Sequence, residues 1–202
     1  MHLDKLTKKT KKTMKIIYKI GNLLDAQTAV IAHQVNCQGV MGSGIAKQIK
    51  EKWPIVFEKY HKECDTDSLE YVFGSCLLVG TETHFIANLF GQMYYGRSGR
   101  FTDYEALYSS LESLRIQMKE KQLTSVAIPY KMSSDRGGAD WDIVLTMIKS
   151  VFKDTNVTIE IWSLTETPEL KSKLLTKKSN DSSWQYEADH KDDWKQIHEM
   201  CG

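Results

Sequence analysis

The stretch V-I-A-H-Q-V-N-C-Q-G-V-M-G-S-G-I-A-K-Q-I-K-E-K-W-P, from Val30 to Pro54, reads as a buried strand, a polar glycine-rich loop and then a helix. Val30, Ile31 and Ala32 are apolar enough for a central strand, and the chain turns polar from His33 to Asn36 at its C-terminal end. Gly39, Gly42 and Gly44 let the backbone turn tightly and approach a ligand closely. Beyond Gly44, the residues Ile45, Ile49 and Trp53 recur at helical spacing, and Pro54 marks where that helix should stop. A helix N-terminus behind a glycine loop presents unpaired N–H groups and the positive end of a dipole, so it suits an anion such as phosphate. A P-loop needs Gly-Lys followed by Ser or Thr, but Ile45 follows Gly44. A dinucleotide fingerprint needs a third glycine where Lys47 stands. Neither motif explains His33, Asn36 and Gln38, so the expected ligand is neither a plain nucleoside triphosphate nor NAD.

Working outward, Met14 to Tyr18 is a first strand, with a turn signal at Gly21-Asn22. Pro54 can open a second helix through Phe57 and Tyr60 to Cys64. Gly74 to Gly80 and His84 to Phe90 read as two strands joined by a polar turn. A loop rich in glycine and aromatic residues follows, from Gly91 to Arg100. Thr102 and Glu105 form a capping-box signature ahead of a helix that carries Leu107, Leu111, Leu114 and Met118 on one face. Ser125 to Pro129 is a short buried strand. After a polar loop a last helix starts near Asp140, and Val157 to Leu164 closes the core as a strand. Strands alternating with helices predict an α/β fold with a central mixed sheet covered on both faces. In such folds the ligand lies at the carboxyl ends of the strands, so the loops after Tyr18, Gln34, Phe90 and Pro129 should converge.

The 202 residues and the net charge of +1 describe one ordinary globular domain with tails, and give no overall case for nucleic acid or membrane as partner. Residues 1–13 read as a basic disordered tail, solvated or acting as an arm on nucleic acid, and residues 165–202 as a polar C-terminal extension. No apolar core follows the N-terminal lysines, and no run is long enough to span a bilayer, so neither a signal peptide nor a membrane anchor is expected. The four cysteines show no paired spacing, which fits reduced thiols in the cytoplasm, or in the nucleus if the source is eukaryotic. Without C-x-x-C or H-E-x-x-H motifs, no metal is expected, and no cofactor is implied.

Four segments carry a family resemblance: Gly21-Asn22-Leu23, Asn36 to Ala46, Ala87 to Gln92, and Pro129 to Trp141. Together they resemble a macrodomain, the three-layer α/β/α module that binds ADP-ribose, over residues 14–164. The Asn36 to Ala46 loop is the most specific of them. It is similar to the branch that contains the yeast-type ADP-ribose 1''-phosphate phosphatases and the ADP-ribosyl-glutamate hydrolases, which also resemble this chain at His33, Asn36 and Asn22. The resemblance implies that Gly21, Asn22 and Leu23 lie at the adenine, with Asn where most members have Asp. It implies that Gly39, Val40, Met41, Gly42, Ser43, Gly44 and Ile45 hold the diphosphate and distal ribose through the backbone. Asn36 and Gln38 would then contact the ribose hydroxyls, and Ser133, Ser134, Arg136, Gly137 and Gly138 would close over the diphosphate. Gln92 lies where some hydrolases of the branch place a catalytic lysine nearby; no lysine occurs in Ala87 to Gly96. Ser133-Ser134-Asp135 stands where many relatives carry glycine-cysteine-glycine.

Asp135, His33 and Asp140 are the candidate catalytic groups, able to orient or deprotonate a water attacking C1'' of the distal ribose. Each has an ordinary alternative: Asp135 as a turn aspartate, His33 as a hydrogen-bonded strand histidine, Asp140 as the N-cap of the last helix. Phe90, Tyr94 and Tyr95 are either walls around the ribose, core-packing residues or loop anchors. Arg136 either clamps phosphate or pairs with Asp135. The implied activity is metal-independent hydrolysis of ADP-ribose 1''-phosphate or of an ADP-ribosyl ester, with ADP-ribosylated protein or nucleic acid as candidate partners. The alternative is a non-catalytic reader of ADP-ribose.

Overall fold

The computed structural model describes residues 13–65, 68–96, 98–166 and 171–172. The chain divides into a unit through Thr165 and a second from Glu166 onward. The expectations for residues 1–12, and for most of the C-terminal extension, lie outside the described residues.

The first unit contains, in chain order, β1 (Lys15–Ile20), a 3-10 turn (Leu23–Asp25), β2 (Val30–Asn36), α1 (Gly44–Lys52), α2 (Pro54–Cys64), a second 3-10 turn (Leu69–Tyr71), β3 (Cys76–Gly80), β4 (Phe85–Gln92), α3 (Tyr104–Glu120), β5 (Ser125–Pro129), α4 (Trp141–Phe152) and β6 (Thr158–Ser163). The six strands form one mixed sheet in the order β1-β6-β5-β2-β4-β3, with β3 antiparallel to β4 and the remaining neighbours parallel. Parallel strands end at one edge of the sheet, so the loops after β1, β2, β4 and β5 leave from that edge.

Alternation along β2 and β4 sends their side chains to two layers. Val30, Ala32, Ala87 and Leu89 pack with Leu107, Leu111 and Leu114 of α3 and with Val144, Leu145 and Ile148 of α4. Ile31 and Ile86 pack with Ile49 of α1 and Val56 of α2, while Val35 and Phe90 pack with Tyr60 of α2. Burying the Leu107, Leu111 and Leu114 side chains is worth roughly 2 kcal/mol each before entropy is subtracted. Phe90 is fully buried in this core and stacks on Tyr60 at 5.7 Å, so it is a core residue and not a wall around a ribose.

Pro54 opens α2, where its missing N–H is harmless, and Trp53 ends α1 as its C-cap. The expected Thr102–Glu105 capping box does not form. Asp103 caps α3 instead, its carboxylate accepting from the Ala106 amide at 2.9 Å. Thr102 is drawn one step back into strand pairing with Gln92, and its hydroxyl bonds Gln34 and the Ser133 carbonyl.

Candidate functional site

The loop from Cys37 to Ser43 is suspended from Asn36. The Asn36 Nδ2 donates to the Val40 carbonyl at 2.7 Å, and Oδ1 accepts from the amides of Gln38 at 2.9 Å and Val40 at 3.3 Å. The Tyr60 hydroxyl donates to the Asn36 carbonyl at 2.7 Å and lies 3.0 Å from its Oδ1. Below Gly39, His61 Nδ1 lies 3.2 Å from the Gly39 carbonyl, a bond that puts the ring proton on Nδ1. Gly39 has φ +70, and a Cβ there would sit 2.7 Å from His61 Nδ1, so glycine is required twice over. Gly44 at φ +57 then opens α1, and the Ser43 side chain makes no cap bond. The first-turn amides of α1 are therefore left for a ligand or water, which is the anion geometry read from the sequence. Gly42, Ser43 and Gly44 are exposed, Val40 is 37% exposed and Ile45 half-buried; Met41 is turned into the core and reaches a ligand only through its backbone.

Three loops are tied together at this edge of the sheet. Gln38 Oε1 accepts from the Tyr95 amide at 3.1 Å, joining the loops after β2 and β4. Gln34 Nε2 donates to Gln92 Oε1 at 2.6 Å and to Thr102 Oγ1 at 3.0 Å, and that hydroxyl donates to the Ser133 carbonyl at 3.1 Å. The Gly137 carbonyl accepts from the amides of Phe101 and Thr102, each at 2.9 Å. A Cβ on Gly137 would collide with Thr102 Oγ1 and the Ser133 carbonyl, so no other residue fits this junction without movement. The convergence expected for the loops after β2, β4 and β5 is thus present, fastened by the side chains of Gln34 and Thr102, which the sequence reading did not place at the site. After β1, the Gly21 amide donates to the Ser163 carbonyl at 2.8 Å, and Asn22 Oδ1 accepts from the Leu24 amide at 3.0 Å. Asn22 therefore caps the 3-10 turn, and its oxygen is already engaged before any adenine arrives. Leu23 is buried in the core, so it too offers only its backbone.

The candidate acids and bases separate clearly. Asp135 is exposed and lines a concavity of about 400 Å³ with Gly96, Gly99, Arg136 and Gly138. Among the described residues Asp135 and Arg136 form no ion pair with each other. Asp140 is the N-cap of α4, Oδ1 accepting from the Asp142 amide at 2.8 Å, so its ordinary reading holds. It borders a larger concavity, of about 500 Å³, along α3 and α4, which includes no residue of the glycine loop. The catalytic reading of His33 is corrected: the side chain has no exposed surface. Its Nε2 lies 2.9 Å from Asn88 Oδ1, while Asn88 Nδ2 donates to the Leu77 carbonyl. Burial lowers the imidazole to about 4, the Asn88 bond opposing this weakly, so His33 is neutral near pH 7 and shielded from any ligand. Cys37 is also sealed in, its thiol pushed up to about 12 by burial and by Cys64, so it is no nucleophile.

The loop after β5 is strained. Lys131 and Ser133 hold φ of 55 and 69 without being glycine, and the buried Ser133 and Ser134 hydroxyls have no partner. Gln92 is buried, bound through Oε1 to Gln34 and through Nε2 to the Tyr94 carbonyl.

The family profile described as "Macro domain" matches residues 32–148. The DNA ADP-ribosyl glycohydrolase of Mycobacterium bovis is 31% identical over 142 residues, 68% of this chain and 39% of the relative. This chain thus spans well under half of the curated relatives it matches most broadly. The ADP-ribose 1''-phosphate phosphatase of Aspergillus oryzae is 44% identical, but over 45 residues, 22% of each chain. Among solved structures, the macrodomain of Mycobacterium tuberculosis DarG superposes with a TM-score of 0.63 at 30% identity, covering 74% of this chain and 98% of that one.

Proposed function

This chain belongs to the Macro domain family, and from that premise we propose that it binds ADP-ribose at the joined loops and hydrolyses the bond between C1'' of the distal ribose and its substituent. The observation that carries the reading is the shared geometry of the site. Uncapped amides of α1 suit the diphosphate, and the loop ahead of them is bonded through Gln38 to Tyr95, next to Gly96, which lines a concavity together with the exposed Asp135. In the proposed step Asp135 takes a proton from water as its oxygen bonds to C1''. The bond from C1'' to the substituent breaks, and the departing group leaves with the electron pair and acquires a proton. With no lysine from Ala87 to Gly96 and Gln92 held by Gln34, the proposed attack is direct, without a lysine adduct. No metal-ligand motif occurs in the sequence, and the proposed step uses no metal.

The relatives matching most of the chain are named for release of ADP-ribose from DNA, and the shorter matches for dephosphorylation of ADP-ribose 1''-phosphate. A DNA adduct is therefore the first candidate substrate, followed by the 1''-phosphate and ADP-ribosyl-glutamate. Assay of ADP-ribose release from these three, by the wild type and by Asp135→Ala, tests the reading. Turnover that falls about a hundredfold or more in the variant is expected; no turnover of any of them would sink the hydrolase. The capped Asp140 and the sealed His33 favour a second reading, a reader that grips ADP-ribose without cleaving it. Calorimetric binding of ADP-ribose without turnover would select that reading, and failure to bind ADP-ribose would remove both.

A further inference from the structure

Asp135 is the proposed acceptor of the attacking water's proton, yet no ion pair among the described residues holds its carboxylate. Where that carboxylate stands is set by the loop that carries it. One short stretch, Phe101 to Tyr104 at the approach to α3, grips this loop on both sides of Asp135. Two residues before it, the Ser133 carbonyl accepts from the Thr102 hydroxyl at 3.1 Å. Two residues after it, the Gly137 carbonyl accepts from the Phe101 and Thr102 amides. Farther on, the Asp140 amide donates to the Tyr104 hydroxyl at 2.9 Å. The Gly138 and Ala139 amides donate back to the Ser134 and Ser133 carbonyls, so the turn that presents Asp135 is closed between the grips. It has no slack to absorb a shift: a Cβ on Gly138 would lie 2.7 Å from the Gly99 carbonyl oxygen and 2.9 Å from the Arg100 Cα.

Thr102 is itself aimed. It is buried, bridges Gln92, and accepts from Gln34 Nε2 at 3.0 Å. A hydroxyl has one proton to give, and with Gln34 as the donor to its oxygen that proton goes to the Ser133 carbonyl. The same Gln34 amide donates to Gln92 Oε1, Gln92 Nε2 donates to the Tyr94 carbonyl, and the next amide, of Tyr95, donates to Gln38 Oε1. A line of side chains thus leads from the loop ahead of α1 to the carbonyl two residues before Asp135. Thr102 serves this line and leaves the capping of α3 to Asp103.

We propose that Thr102, directed by Gln34, is a positioning residue for the hydrolysis: its hydroxyl sets where the Asp135 carboxylate stands against C1''. The role rests on the hydrolase reading above. It divides the task, since the diphosphate is gripped at the α1 amides behind the loop that hangs from Asn36, while the carboxylate is aimed through Thr102. Displacing a reacting group by about an ångström costs rate far more than it costs grip.

The test is steady-state release of ADP-ribose from the three substrates above, with calorimetric ADP-ribose affinity and thermal stability measured on the same preparations. Thr102→Val keeps the shape and removes the hydroxyl. It should lower kcat about tenfold or more while KM and ADP-ribose affinity stay within about threefold, and Thr102→Ser, which keeps the hydroxyl, should restore kcat. Tyr104→Phe releases the far grip at an exposed bond and should lower kcat about threefold, again without raising KM. Wild-type kcat in Thr102→Val, whatever its stability, overturns the role, as does a rise in KM at constant kcat or an equal loss of kcat in Thr102→Ser. If Thr102→Val does not fold, Tyr104→Phe decides, and wild-type kcat in that variant overturns the role. Those outcomes, with an active wild type, defeat the positioning alone. No turnover by the wild type defeats the hydrolase reading and the role with it.

Discussion

The loop after β2 hangs from side chains, while the loop after β5 is held mainly by backbone bonds, with one side-chain tie from Thr102. Asn36 and His61 fasten the glycine loop through three contacts at or below 3.2 Å, and Tyr60 holds Asn36 itself through two more. In the loop after β5, Met132, Ser134, Gly138 and Ala139 donate to backbone carbonyls within the same segment. Two buried hydroxyls there go unpaired, and two non-glycine residues sit at positive φ. The first loop holds its shape without a ligand, and only the first-turn amides of α1 stay open at its end. The second retains strain and unsatisfied polar groups, which a bound anion could satisfy by accepting from the Ser133 and Ser134 hydroxyls. One wall of the cleft is thus braced by side chains, while the other keeps strain and unpaired hydroxyls.

The strongest way to break that comparison is Asn36→Ala. It removes the acceptor for two amides and the donor to Val40, and a drop of about 3 kcal/mol in unfolding free energy by denaturant titration is expected. ADP-ribose affinity should weaken at least tenfold in the same variant. If stability and affinity both survive, the first loop does not depend on its hanger.

The next largest effect concerns the strand beneath that loop. His33 has its ordinary value of 6.5 in the unfolded chain and about 4 when folded, so the unfolded chain binds the extra proton in that window. Stability due to a neutral His33 is fully present above pH 6.5 and is lost as pH falls toward 4. Between pH 7 and pH 5 the wild type should lose about 2 kcal/mol from this group. His33→Gln keeps a donor for Asn88 and should flatten that slope; an unchanged slope would show that another group sets it.

The smallest effect sharpens the other side. Ser133→Gly relieves a left-handed serine at φ 69 and should stabilise the protein by about 1 kcal/mol, raising the melting temperature. If ADP-ribose affinity falls as stability rises, the strain and the hydroxyl belong to the binding function. If affinity is unchanged, the loop after β5 is strained for no purpose in binding.

Local patterns carried much of the fold. Ser125–Pro129 was readable as a strand end to end, and α4 begins at its Asp140 cap, because apolar period and capping chemistry are local. The Thr102–Glu105 box failed because a long-range pairing overrode it: Thr102 bridges Gln92 and bonds Gln34 and the Ser133 carbonyl, partners far away in sequence. The same limit hid Tyr60 and His61, whose contacts to Asn36 and Gly39 span 24 and 22 residues. The glycine loop was legible because positive φ and close approach demand glycine by name. His33 misled because polarity at a strand end looks the same whether the side chain meets a ligand or, 55 residues on, an asparagine.

His33 sits opposite Asn88 in the β2–β4 register, and both side chains are fully enclosed. A slip of two residues would preserve the inward faces of both strands, so the apolar packing alone discriminates against it weakly. It would also set His33 against Ile86 or Phe90 and strand two buried polar groups, a penalty of several kcal/mol. The imidazole thus acts as an alignment key for the two central strands. Gln34 meets Gln92 across the ends of those strands only because their centres are locked.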